Sequence, residues 1–78
     1  MQEFRIRIRS FEEIKEFIRL STSQPFTVYV GNQRQKANAT SYMGLASLDL
    51  SRELLVSSEC SDSDFQEFRR QSARFLAE

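Results

Sequence analysis

The chain contains no histidine, a single cysteine (Cys60), and equal numbers of basic and acidic side chains, 11 of each, among 78 residues. One thiol cannot form a disulfide within the chain, and without histidine no ordinary zinc cluster can form, so we expect no bound metal or cofactor. A lone cysteine suits a reducing compartment, which favours a cytoplasmic protein. The zero formal charge produces no overall field that would attract nucleic acid or a membrane surface.

Long hydrophobic runs are also absent. No apolar stretch approaches the ~20 residues of a membrane helix, and the start of the chain alternates charged and apolar side chains instead of forming the apolar segment of a signal peptide. Hydrophobic residues still make up 40% of the sequence and include seven Phe. A chain of this length and composition is expected to fold as one small domain over residues 1–78.

The hydrophobic pattern predicts seven elements. Period-two alternation at the start of the chain indicates a strand with one buried face, and a capping box from Ser10 to Glu13 indicates the start of a helix. Phe26–Val30 is rich in β-branched and aromatic residues, and Gly31 is expected to supply the positive φ of a hairpin turn. The predicted strands cover residues 3–9, 26–30, 33–39 and 53–60, and the predicted helices cover residues 10–21, 41–48 and 62–76.

The predicted element order is β-α-β-β-α-β-α. Helices interleaved with a hairpin indicate an α+β sandwich, in which a four-stranded antiparallel sheet carries the helices on one face. We expect Arg5, Arg7 and Arg9 on the open face of the sheet, paired with Glu53 or Glu59 of the last strand. The side chains predicted to be buried are Phe4, Ile6, Ile8, Ile14, Phe17, Ile18, Val28, Val30, Leu54, Val56, Phe65, Phe68 and Phe75.

Residues 41–50 read Ser-Tyr-Met-Gly-Leu-Ala-Ser-Leu-Asp-Leu. They resemble the Ser-Ile-Met-Gly-Val-Met-Ser-Leu segment of HPr, the small phosphocarrier of the bacterial sugar phosphotransferase system. The matching residues include Ser41, Met43, Gly44 and Ser47, and the element order resembles the HPr fold throughout. The resemblance implies an HPr-like open-faced β-sandwich over the whole chain. In that family the first Ser of the segment is a regulatory phosphorylation site, and a His elsewhere carries the phosphoryl group.

The chain departs from the family at the active centre. Ser10 stands at the position of the family's His, and Glu12 and Glu13 stand where the family has Arg and Pro. Two carboxylates in the first turn of a helix repel a phosphate and already satisfy the helix dipole. We therefore expect no phosphoryl transfer from this chain and no enzymatic activity.

Ser41 is the candidate regulatory site, because a phosphoryl group at the start of a helix would stabilise the helix and alter a binding surface. The alternative is that Ser41 only caps the helix, a role that Ser commonly has. Tyr42, Met43 and Leu45 are the candidate partner contacts, since apolar residues on a two-turn helix should stay partly exposed and Met suits adaptable contacts.

Three functions remain open from the sequence. The chain is a non-catalytic regulatory or protein-binding module related to the phosphotransferase system, a phosphocarrier that uses a residue other than His, or an orphan structural domain that shares only the fold. The segment around Ser41 favours the first function over the third. The resemblance implies protein partners from the phosphotransferase system or from catabolite control. No pattern in the sequence predicts an oligomeric state.

Overall fold

The computed structural model describes residues 2–32 and 34–77, and the elements occur in the predicted order. Among the described residues, none of the helices has both the length and the apolar character needed to cross a lipid bilayer. The elements are β1 (Gln2–Ile6), α1 (Phe11–Thr22), β2 (Tyr29–Gly31), β3 (Lys36–Asn38), α2 (Tyr42–Ala46), β4 (Leu54–Ser58) and α3 (Asp62–Gln71), followed by a 3-10 turn (Ala73–Phe75).

The four strands form one antiparallel sheet in the order β1-β4-β2-β3. Phe4 of β1 pairs with Val56 of β4, and Val56 pairs with Val30 of β2. Residues that lie directly opposite in neighbouring strands point to the same face, so these three side chains form an apolar row across the sheet. The helices pack on that face and leave the other one open, which confirms the predicted α+β architecture.

The core lies between the sheet and the two long helices. Phe68 of α3 is fully buried, and its ring centroid lies 5.9, 6.0 and 5.9 Å from those of Phe4, Phe17 and Phe26. Every side chain predicted to be buried is buried, except that Ile18 is only partly buried at the edge of the core. The predicted register of the first strand is therefore confirmed.

The first helix begins as its capping box predicts. Ser10 precedes α1, and its Oγ accepts a hydrogen bond from the amide of Glu13 at 3.2 Å. The Glu13 carboxylate accepts in return from the amide of Arg9 at 2.7 Å, one residue earlier than in the standard box. The Ser10 side chain thus satisfies an amide that the helix itself leaves without a partner, and the Glu13 side chain satisfies one in the segment that leads into the helix.

The first strand ends earlier than predicted. Ile6 pairs with Leu54, the first residue of β4, so residues 7–9 extend beyond their partner strand. The amide of Arg7 donates instead to the carbonyl of Phe75 at 2.8 Å. The C-terminal segment thus lies along the outer edge of β1, where Ile6 also forms an isolated bridge with Leu76.

The hairpin between β2 and β3 differs from the prediction. Gly31 lies within β2, and no described glycine has a positive φ, so the predicted role of Gly31 is wrong. Asn32 orders the turn instead, because its side chain accepts from the amides of Arg34 and Gln35 at 2.8 and 2.9 Å. A Cβ on Gly31 would lie 1.9 Å from the Gln35 carbonyl oxygen, so glycine is needed for a close backbone approach. Position 33, the predicted start of the returning strand, lies outside the described residues.

The last helix is shorter than predicted and ends before Ser72. The Oγ of Ser72 donates to the carbonyl of Phe68 at 2.9 Å, and its amide donates to the carbonyls of Phe68 and Arg69. The chain then continues as the 3-10 turn, which places the ring of Phe75 edge-on against Phe17 at 5.3 Å. The predicted helix over residues 62–76 is therefore two elements, of which only the first is α-helical.

The arginines of the first strand have three different environments. Arg5 lies on the open face, with its Nε 4.0 Å from the carboxylate of Glu53 as predicted. Arg7 is half-buried, and its Nη2 donates to the Ser51 carbonyl at 3.0 Å instead of pairing with a carboxylate. Arg9 is exposed and lies beyond the strand. Among residues 2–32 and 34–77, the expected cross-strand charge pair forms at Arg5, and the pairs expected at Arg7 and Arg9 do not form.

Candidate functional site

Ser41 is the residue that caps α2. Its Oγ accepts a hydrogen bond from the amide of Gly44 at 3.1 Å, and its carbonyl accepts from the amide of Leu45 at 3.0 Å. Ser41 is half-buried and its backbone is extended, as a residue before a helix requires. The hydroxyl that the resemblance assigns to regulation therefore also has a structural role.

The apolar residues of α2 divide between solvent and core. Tyr42 is 39% exposed and Met43 is 81% exposed. Leu45 is fully buried in the core, so its predicted role as a partner contact is wrong. The difference arises because α2 packs against α1 and β3, and Leu45 is the side chain that it directs into that contact.

Gly44 allows α2 to lie close to β3. A Cβ at this position would lie 3.1 Å from the Cβ of Ala37 and 3.1 Å from the Oγ of Ser41. Those distances are tighter than ordinary van der Waals contacts between side chains. Because Gly44 has no side chain, the short helix can lie against β3, and the Ser41 hydroxyl has room to cap it.

Asp49 orders the loop that follows α2. Its carboxylate accepts from the hydroxyl and the amide of Ser51 and lies 3.4 Å from the Nε of Arg52. The hydrogen bonds from Ser51 hold the pKa of Asp49 below its ordinary value, and the one from the hydroxyl has the larger effect. The positive charge of Arg52 acts in the same direction. Because the Ser51 carbonyl accepts from Arg7, this loop is joined to the end of β1.

Ser10, which the resemblance places at the position of the family's His, is the residue that caps α1. Ser10 is exposed, and its hydroxyl accepts from the Glu13 amide. Glu12 and Glu13 both lie in the first turn of α1, and Glu12 lies 3.8 Å from the Nζ of Lys15. The negative charge of this turn opposes the binding of a phosphoryl group beside Ser10.

A shallow cleft of about 610 Å³ lies beside Ser10, between the segment that leads into α1 and the loop that follows α2. Two apolar side chains that line it are accessible to solvent: Phe11 is 63% exposed and Leu50 is half-buried. Neither residue was predicted from the sequence to be part of a site. The cleft is lined by Arg7, Ile8, Arg9, Ser10, Phe11 and Leu50.

Groups that could hold a metal are not found in the described part of the chain, where no three acidic or cysteine side chains come together. Cys60 is a half-buried free thiol that lies two residues after the end of β4. Its carbonyl accepts from the side chain of Gln2 at 3.3 Å. Within residues 2–32 and 34–77, the polar groups around α1 and α2 are therefore helix caps, ion pairs and loop contacts.

Comparison with known proteins agrees with this architecture. No family model matches the chain, and no curated protein matches it significantly. The crystal structure of HPr-C-His from Thermoanaerobacter tengcongensis does match, with a TM-score of 0.70 and 23% sequence identity, over 92% of this chain and 93% of that chain. Identity at this level establishes the fold and not the activity. The chain therefore has an HPr-like fold.

Proposed function

We propose that this chain is a non-catalytic, protein-binding module with an HPr-like fold, and that the exposed side of α2 contacts its partner. The observation that carries the proposal is the 81% exposure of Met43, next to the partly exposed Tyr42. Leu45 of the same helix is buried in the core. The core contact fixes the position of α2, while Tyr42 and Met43 stay exposed to solvent. Met is a flexible and polarisable side chain that suits adaptable protein contacts.

The chemistry of the chain supports a role without catalysis. The sequence contains no histidine that could carry a phosphoryl group. Ser10, at the corresponding position, is a helix cap beside Glu12 and Glu13. The Ser10 hydroxyl accepts from the Glu13 amide. The Glu13 carboxylate accepts from the Arg9 amide, and the Glu12 carboxylate lies 3.8 Å from Lys15. Neither carboxylate is thus placed as the activating base that a nucleophilic serine needs.

The regulation that we propose acts through Ser41. A phosphoryl group on its Oγ would lie at the amide end of α2, next to Tyr42 and Met43. The added charge could then be recognised by a partner's Arg or could repel a partner's carboxylate. On this proposal, the partners belong to the bacterial phosphotransferase system or to catabolite control, in the cytoplasm.

The proposal is tested by covalent capture of partners from the native cells, with a photoreactive side chain placed at position 42. Met43→Ser in the same protein should reduce the amount of each captured partner. Tyr29→Thr is the matched control, because Tyr29 is 36% exposed and lies on the open face of the sheet. The proposal fails if no protein is captured, or if Met43→Ser and Tyr29→Thr reduce capture equally.

A further inference from the structure

We infer that the open face of the sheet is a self-association surface, on which a second copy of this chain binds through Tyr29, Lys36 and Glu59. The surface lies on the side of the sheet that the helices leave uncovered. It is therefore separate from the exposed side chains of α2. The inference goes beyond the proposed function and does not depend on it.

Tyr29 lies in the middle of this surface. It belongs to β2, an inner strand of the sheet, and lies directly opposite Ser57 of β4 and Asn38 of β3. Gly31, the next residue of β2 on the same face, has no side chain. The Tyr29 ring is therefore the largest side chain of this part of the face, and it is 36% exposed. A tyrosine ring offers a partner a large apolar area with one polar end.

A carboxylate and an ammonium group lie on opposite sides of the Tyr29 ring. Glu59 directly follows β4 and lies two residues beyond the partner of Tyr29 in that strand. Lys36 of β3 lies two residues from the partner of Tyr29 in the opposite direction. This register places each Cα diagonally about 8 Å from that of Tyr29. Both side chains are exposed, and with Tyr29 they line a shallow depression of about 540 Å³.

This arrangement is complementary to itself when two open faces meet. A two-fold axis between the sheets can lie over Tyr29, at right angles to the line from Glu59 to Lys36. Such an axis exchanges the two charges and keeps the ring in place. Tyr29 then stacks on the partner's Tyr29, and Glu59 of each copy faces the partner's Lys36. One patch thus supplies both members of each ion pair, as an isologous interface requires.

The charges of the face are available for this pairing. Within the described part of the chain, Glu59 forms no ion pair. The ammonium group of Lys36 has three donors, so it can keep a contact in its own chain and also bind a carboxylate of the partner. Glu3 and Arg5 lie two strands away from β2, and Arg5 is already paired with Glu53. Uncompensated charge is thus concentrated beside the ring.

The size of the face predicts a weak dimer. Four strands about 4.8 Å apart and three rows of outward side chains cover roughly 400 Å² on each copy. A stable interface needs about 800 Å² per partner. We therefore expect dimers at roughly 0.1–1 mM protein and monomers at micromolar concentration.

The test exchanges charges between two variants and follows association by NMR of isotope-labelled protein. In the wild type, the amide resonances of Tyr29, Ser57 and Asn38 should shift as the protein concentration rises. Glu59→Lys and Lys36→Glu each place like charges in both ion pairs, so either variant alone should associate about tenfold more weakly. Labelled Glu59→Lys mixed with unlabelled Lys36→Glu restores both pairs. This mixture should associate about as tightly as the wild type.

Arg19→Glu is the matched control for Lys36→Glu. The wild type has zero formal charge, so both variants carry the same negative excess and attract Glu59→Lys equally over long distances. Arg19 is exposed on α1, away from the open face. Its variant mixed with Glu59→Lys should therefore associate as weakly as Glu59→Lys alone. Far-ultraviolet circular dichroism checks that each variant is folded.

The inference is overturned if the wild-type resonances do not shift up to about 2 mM protein. It is also overturned if Glu59→Lys associates equally with Lys36→Glu and with Arg19→Glu. A monomeric wild type whose capture of a different protein is lost in Tyr29→Thr would overturn it as well, since another chain would then occupy the face. The proposed function fails separately, because its capture experiment depends on Met43.

Discussion

The guanidinium of Arg74 lies 2.6 Å from a carboxylate oxygen of Glu16, which joins the 3-10 turn after α3 to the middle of α1. That oxygen is shielded from solvent and makes no hydrogen bond of normal geometry, so the attraction is that of an ion pair. The Arg74 guanidinium also lies 5.4 Å from the ring centroid of Phe75, which is buried in the core. A charge pair and a buried ring together fix the C-terminal turn.

Removing the cation of this pair should cost a modest amount of stability. We expect Arg74→Ala to lower the free energy of unfolding by about 1 kcal/mol or less, because the two side chains are 61% and 39% exposed and solvent screens the pair. For a domain of this size, the melting temperature should fall by no more than about 8 °C. A double-mutant cycle with Glu16→Gln, measured by thermal unfolding at low and high salt, should give a coupling that salt weakens. Strict additivity of the two changes would contradict this reading.

Phe68 and Phe11 form a matched pair for testing the core. Phe68 is fully buried and contacts three other rings, so Phe68→Ala should cost about 3–5 kcal/mol. Since a small domain has a total stability on the order of 5 kcal/mol, much of this variant should be unfolded. Phe11 is 63% exposed, and Phe11→Ala should change stability by less than about 0.5 kcal/mol. Urea unfolding of both variants is the measurement, and equal losses would show that Phe11 is part of the core.

The first helix illustrates what periodicity predicts. At about 100° per residue, Ile14, Phe17 and Ser21 lie within about 60° of one another on the helix surface, and all three are buried. Ile18 and Phe11 lie about 70–90° from the centre of that group. Ile18 is accordingly half-buried and Phe11 is exposed. The angular position of a residue around the helix, and not its apolar character alone, therefore predicts whether it is buried. This angle places Phe11 at the edge of the core, where it lines the cleft.

Other features could not be predicted because they depend on contacts between distant parts of the chain. The need for glycine at position 31 comes from the carbonyl of Gln35 on the returning chain. The burial of Leu45 comes from the orientation of a five-residue helix against α1 and β3, and five residues are too few for a period to define a face. Strand β1 ends at Ile6 because β4 begins at Leu54. The alternation within β1 continues to Arg9 and contains no sign of that end.

The arginines of β1 should contribute unequally to stability. The Arg5–Glu53 contact is 4.0 Å long and its side chains are 70% and 46% exposed, so Arg5→Ala should cost no more than about 0.5 kcal/mol. Arg7 is half-buried and donates to the Ser51 carbonyl, so Arg7→Ala should cost about 1 kcal/mol. Thermal unfolding of the two variants should show this order. A loss of several kcal/mol for Arg5→Ala would mean that the open face of the sheet is covered, for example by a second subunit.

Phosphoryl transfer is the reaction that we expect this chain not to perform. With labelled phosphoenolpyruvate and the general enzyme of the phosphotransferase system, the protein should stay unlabelled, because it contains no histidine and Ser10 lies beside Glu12 and Glu13. A phosphocarrier HPr in the same reaction serves as the positive control. Acid-labile label on this chain would contradict the prediction and support the alternative of a non-histidine phosphocarrier.

Phosphorylation at Ser41 separates a regulatory residue from a simple helix cap. Ser41→Ala removes the acceptor for the Gly44 amide and should cost about 1 kcal/mol whether or not the protein is ever phosphorylated. With HPr kinase and ATP, we expect one phosphoryl group on the wild type and none on Ser41→Ala. Ser47→Ala is the matched control, since Ser47 lies at the other end of α2 and its hydroxyl donates to the Gly44 carbonyl at 2.7 Å. It should be modified like the wild type.

The phosphorylated protein should stay folded, because the amide end of α2 favours negative charge. Far-ultraviolet circular dichroism before and after the kinase reaction checks this expectation. The residues that flank Ser41 are Thr40 and Tyr42, where the family usually has Lys and Ile, so recognition by the kinase is the step under test. If wild type, Ser41→Ala and Ser47→Ala are all unmodified while a genuine HPr is modified, Ser41 is a helix cap only. Partner binding would then depend on Tyr42 and Met43 without a phosphorylation switch.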